Sequence, residues 1–230
     1  METTMNPVIL LHGALGSSSQ LLPMAQKLEA NGRKTFLLNF SGHSGRAFSH
    51  NGFGMETFAD DLGGLLDSEK ITQADIFGYS MGGYVALWFA HLHQEHIGKI
   101  ITLGTKFDWD PASAEKEIEK MDAEKIEKKV PAFARLLHQR HAPNDWKEVL
   151  KKTASMMFDL GQKPLLTKEV LSEIKSPVQV LLGDLDDMAD LNFSKQVATC
   201  LPFGKFKLLK NTPHPIEKAE LRILVDKFDN

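Results

Sequence analysis

Residues 78–82, Gly-Tyr-Ser-Met-Gly, set Ser80 between two glycines at the end of an apolar run and the start of another. If 74–78 is a strand and 81–93 a helix, Ser80 occupies a sharp strand-to-helix turn with its hydroxyl projecting above a sheet. The amide of Met81 then points from the helix N-terminus into the same space, where it would meet developing negative charge. A serine hydroxyl is a poor nucleophile without a base, and the base needs an orienting acid. His214 suits the base, because Pro213 and Pro215 restrict the backbone on either side of it. Acid candidates cluster in 183–190, GDLDDMAD, with Asp184, Asp186, Asp187 and Asp190; Asp108 and Asp110 are the alternative location.

A second feature is the loop His12-Gly13-Ala14-Leu15-Gly16 after the run 7–11. Gly13 and Gly16 let backbone approach a ligand, which leaves the amide of Ala14, or that of Leu15, to donate to an oxyanion. His12 is expected to orient this loop and not to transfer protons. The loop matches neither G-x-G-x-x-G nor G-x-x-x-x-G-K-[ST], so neither a dinucleotide cofactor nor a nucleotide is expected.

Elements that would position these residues are legible in the hydrophobic pattern. Runs 7–11, 34–40, 74–78, 99–104, 177–183 and 205–209 are short and mostly apolar, which suits buried parallel strands. Amphipathic stretches lie between them, among them 55–67 with Met55, Phe58 and Leu62 on one face, and Asp60 and Asp61 expected on the solvated side. This βαβα alternation predicts an α/β fold with a mostly parallel sheet of about six strands and helices on both faces. Residues 108–172 break it. They read as helices, the charged 115–129 first, and form an insertion within a core made of 1–107 and 173–230.

Composition narrows the partners. With 27 basic and 30 acidic residues in 230, the chain lacks the basic stripe that nucleic acid binding needs. The N-terminal apolar run is too short for a signal or membrane span, so a cytoplasmic protein without a membrane span is expected. Cys200 is the sole cysteine, which excludes an internal disulfide. Among the histidines, only the pairs His93/His96 and His138/His141 share a helix face, too few ligands for a metal site. Neither metal nor cofactor is expected, and oligomeric state is not written in the sequence.

Taken together, the HGALGSS loop, the FADDL helix, the GYSMGG turn, GDLDDM and NTPHPIE resemble the α/β-hydrolase fold family, in its lid-bearing form, over nearly the whole chain. The resemblance implies the α/β-hydrolase fold, the chain order Ser80, Asp186, His214 for a catalytic triad, and the G-x-x-D context that selects Asp186. It implies Ala14 and Met81 as oxyanion donors and the insertion as a helical lid. The 41–50 loop departs from the family's pattern, so no role is carried over to His43 or Arg46.

The chemistry implied is nucleophilic acyl transfer to water on a small-molecule carboxylic ester or thioester. Leu15, Leu136, Leu137 and Met157 are the expected apolar lining, with Trp109, Phe133 and Met156 adding bulk, while Lys120 belongs to the charged outer face. Two alternatives remain: a C–C lyase or menaquinone-pathway-type synthase on the same residues, and a non-catalytic binding module.

Overall fold

In the computed structural model, which describes residues 5–228, six strands form one parallel sheet in the order β2-β1-β3-β4-β5-β6. They are β1 (Val8–Leu11), β2 (Thr35–Leu38), β3 (Ala74–Tyr79), β4 (Ile97–Leu103), β5 (Val178–Leu185) and β6 (Gly204–Pro213). Every residue of β1 and β3 is buried, so β1 reads as an unbroken apolar run and β3 carries one charge, Asp75, which pairs with Arg33 at 2.6 Å. Alternation divides β1 between two cores, Ile9 and Leu11 facing one and Val8 and Leu10 the other.

Helices cover both faces. On one side α1 (Leu22–Ala30) and α10 (Leu221–Val225) pack Met24, Leu28, Leu224 and Val225 against the sheet. On the other, α2 (Met55–Glu69), α3 (Met81–Leu92) and α9 (Leu191–Cys200) contribute Phe58, Leu62, Val85, Phe89 and Val197. Among the described residues no helix is long and apolar enough to cross a membrane.

Between β4 and β5 lie α4 (Pro111–Ile118), α5 (Ala123–Lys129), α6 (Pro131–His141), α7 (Trp146–Gln162) and α8 (Lys168–Glu173). The single charged helix expected over 115–129 is two helices. Asp122 explains the break, because its side chain leaves the helical path to cap α5, accepting from the Lys125 amide at 3.0 Å. Leu137, Trp146, Val149 and Leu150 form a small core of their own, into which Leu15 of the first loop reaches. Leu137, expected to line the substrate site, is fully buried there. Its position on the inner side of α6 is decided by this packing against α7.

Candidate active site

Strand register brings the chemically useful residues together. Leu185 of β5 pairs with Pro213 of β6, so the next residues, Asp186 and His214, stand side by side. Tyr79 of β3 pairs with Leu103 of β4, and Ser80 follows, its amide bonded to the Leu103 carbonyl at 2.8 Å. Three polar side chains thus come from positions one residue past a strand end, on the carboxyl edge of the parallel sheet, where ligands of such sheets bind.

Asp186 Oδ2 lies 2.8 Å from His214 Nδ1. The other carboxylate oxygen accepts from the amides of Met188 at 2.9 Å and Ala189 at 3.1 Å, which fixes the carboxylate in orientation. Its side chain is 2% exposed and that of His214 10%. With Nδ1 held by the carboxylate, Nε2 is the imidazole nitrogen left for chemistry. Gly104 makes the close approach of this pair to β4 feasible: it has φ +61°, and a Cβ there would sit 2.8 Å from Asp186 Oδ2 and 3.2 Å from His214 Nδ1.

Ser80 adopts φ 51° and ψ −119°, a left-handed conformation costly for a residue with a side chain. The serine itself carries the strained turn. Its neighbour Gly82 serves a different end, since a Cβ there would collide with the Leu11 carbonyl of β1. The small residue lets α3 start against the sheet, and that placement holds Ser80 up.

A cavity of about 470 Å³ opens over this edge, lined among others by Ser80 and His214. Ala14 and Met81 line it too, and among the described residues neither amide donates to a protein acceptor. Leu15, Leu136 and Met157 also line it. Leu137 does not. Lys120, assigned to the outer face, is a lining residue, ion-paired at 2.8 Å to Glu117, whose side chain is 5% exposed. Glu117 is buried within α4, and Lys120, in the turn after it, remains half exposed at the cavity rim.

Several lining residues were not singled out from the sequence: Tyr84, Lys106, Met188, Arg140 and Glu217. Met188 had a signal, two positions past Asp186 in the same loop. Arg140 had none beyond helical periodicity.

The first loop is held by histidines that act as hydrogen-bonding spacers. His12 is fully buried; its Nε2 accepts from the Phe40 amide at 3.2 Å, so Nδ1–H donates to the Gly13 carbonyl at 2.8 Å. Burial pushes its pKa down to about 4, which keeps it neutral. His141 of α6 accepts from the Ser44 amide at 3.2 Å and donates from Nε2 to the Leu15 carbonyl at 3.2 Å, and burial takes it down to about 4 as well. Arg140 donates to the same carbonyl at 2.8 Å. Leu15 itself has φ +54°. The insertion therefore clamps the loop next to Ala14. His43 lies between them, tilted 5.0 Å from the His12 ring and edge-on 5.6 Å from that of His141. Asp61, expected in solvent, is buried: it accepts from the Ser41 amide and hydroxyl, both at 2.7 Å, and from Arg46 at 2.6 Å.

Comparison with known proteins supports the family assignment. The family profile describing the alpha/beta hydrolase fold matches residues 6–153, more than half of the chain. The protein belongs to the α/β-hydrolase fold family. This α/β-hydrolase is 22% identical over 245 residues to the AB hydrolase superfamily protein YisY of Bacillus subtilis (strain 168), covering 97% of this chain and 91% of that protein. Its fold is similar to the esterase EaEST from Exiguobacterium antarcticum, with a TM-score of 0.80 at 16% identity over 98% of this chain and 92% of that one. A thermophilic esterase from Thermogutta terrifontis, solved with malate bound, gives 0.75 at 20% identity, covering 99% of this hydrolase and 92% of the esterase chain.

Proposed function

We propose that this chain is a serine hydrolase that cleaves carboxylic esters or thioesters through an acyl-enzyme on Ser80. In this reading His214 Nε2 takes the Ser80 proton as Oγ attacks the substrate carbonyl, and the amides of Met81 and Ala14 donate to the oxyanion. The protonated imidazole gives its proton to the leaving alcohol or thiol. Water, deprotonated by His214 in turn, attacks the acyl-serine and releases the acid. Asp186 keeps the proton of the resting imidazole on Nδ1 and supports its transient charge. No cofactor enters.

The observation that carries the reading is the 2.8 Å bond between Asp186 and His214, together with a serine in a left-handed turn that lines the same cavity as His214. A binding module has no use for strain at the nucleophile position. The esterases named above, of like fold, lend further support. In this reading the insertion acts as the lid, since its residues Trp109, Met121, Phe133 and Met157 line the same cavity as the reacting serine. A fluorophosphonate probe tests the nucleophile: labelling of the wild type and none of Ser80→Ala is expected. Hydrolysis of an ester and thioester panel, with a diketone for C–C cleavage, tests the reaction. A labelled serine with turnover of the diketone alone would replace hydrolysis of esters by cleavage of carbon bonds.

A further inference from the structure

A second cavity, also about 470 Å³, lies between the start of α2 and the C-terminal half of α7. It shares two residues with the first, Met55 and Met156. Each is 3% exposed, so these two side chains fill the space between the cavities. The frame around them is fixed. Tyr84, which lines the catalytic cavity, accepts from the amides of Leu165 and Leu166 at 3.0 Å each, and Leu165 lines the second cavity. What can move is the methionine side chains, unbranched and with three rotatable bonds. Rotating them would join the two spaces without shifting backbone.

We propose that Met55 and Met156 form a movable partition through which the acyl chain of a long-chain ester passes from the catalytic cavity into the second one. The proposal rests on the ester reading given above and adds the substrate class, unbranched medium to long acyl chains. A leaving alcohol must meet His214, beside the hydrogen-bonded pair Gln20 and Glu217 at 2.7 Å, so that polar side of the cavity suits it. An acyl chain takes the apolar remainder, where Met55, Met81, Met121, Met156, Met157 and Met188 make up six of the nine methionines of the chain. Past the partition, Phe53, Leu160 and Leu165 continue an apolar path, and Asn51, Glu56 and Lys163 give the far cavity a polar rim. A short chain needs only the first space.

Stiffness of the partition is the variable to change. Met156→Ile keeps the bulk but restricts χ1 in a helix, and Met156→Ala removes the wall. The readout is kcat/KM on p-nitrophenyl esters from acetate to palmitate, taken as the ratio of laurate to butyrate. That ratio is expected to fall about tenfold in Met156→Ile and to rise about threefold or more in Met156→Ala, the size of effect that a few methylene contacts produce. Met55→Ile should act in the same direction as Met156→Ile. Equal losses on butyrate and laurate, or a ratio that stays put in folded variants, would overturn the partition. So would a wild type that hydrolyses butyrate and refuses laurate. Calorimetric binding of sodium laurate and butyrate to Ser80→Ala requires no turnover and separates the two ideas. Laurate bound tighter than butyrate, with the gap closed by adding Met156→Ile, supports the partition even if no ester is hydrolysed; no gap refutes it even if esters are.

Discussion

The sheet edge and the helical wall opposite it are built on different principles. At the edge, position is set by backbone: register places Asp186 beside His214, and a turn with Ser80 at φ 51° follows β3. The opposite wall is set by side-chain packing, with Leu136 and Leu137, neighbours in α6, facing a cavity and a core respectively. On the proposed mechanism, edge residues admit no substitute, because each must present one functional group at one point. Wall residues need only fill space, and flexible ones serve well there.

Breaking the edge should therefore cost most. Ser80→Ala is expected to lower kcat by about 10⁴-fold or more on any ester the wild type accepts, with an unchanged circular dichroism spectrum. Activity within tenfold would remove Ser80 from the mechanism. Asp186→Asn should follow at about 10³-fold or more, whereas Asp184→Asn and Asp108→Asn should stay within a few fold, as neither carboxylate touches the imidazole. If Asp108→Asn proved the most damaging, the acid would lie after β4.

On the wall, adjacent leucines should behave oppositely. Leu137→Ala is expected to lower stability by about 2–5 kcal/mol in urea denaturation, the range for a buried leucine, with its ester profile unmoved. Leu136→Ala, 43% exposed at the cavity, should alter the preferred acyl length and leave the denaturation midpoint nearly constant. Matching effects would mean that α6 does not divide its two faces as described.

Edge and wall are joined by His12, His43 and His141, and that junction should be acid-labile. Burial holds His12 and His141 at about 4 and His43 well below its ordinary value. The unfolded chain takes these protons near 6.5, so between about 6.5 and 4 the folded state binds fewer of them. Stability is whole above that window and is lost as pH falls through it; His12 alone accounts for on the order of 3 kcal/mol by pH 4. Urea midpoints at pH 7 and pH 5, the latter still above the range where most carboxylates protonate, should differ in that direction. A constant midpoint would show that these rings reach solvent.

Legibility in the sequence follows the same division. Strand β1 was visible because burial on both faces leaves no polar residue in it, β6 less so because it keeps Lys205, Lys207 and Lys210 exposed, and Ser80, His214 and the 183–190 carboxylates because turn residues and prolines mark strand ends. Which carboxylate meets the histidine depends on a register shift between Gly183 and Leu185, and only the family resemblance selected Asp186. The wall was not legible to the same degree. Helical periodicity says that one face of α6 is apolar, but Leu136 and Leu137 straddle its boundary, and tertiary packing assigns them. Asp61 was misplaced for a related reason: a charged residue reads as solvated until its partners, here Ser41 and Arg46, are known.

The left-handed backbone at Ser80 has a consequence for the evolution of the fold. Glycine would adopt φ 51° with little strain, whereas any residue with a Cβ holds it at a cost of about 1–3 kcal/mol. Selection for stability alone would remove the serine. A Ser80→Gly variant should accordingly melt higher than Ser80→Ala, although both are expected to be equally inert. A side chain kept at such a position is the signature of a trade between durability and turnover, and lineages of this family released from the need for catalysis are expected to drift toward glycine there.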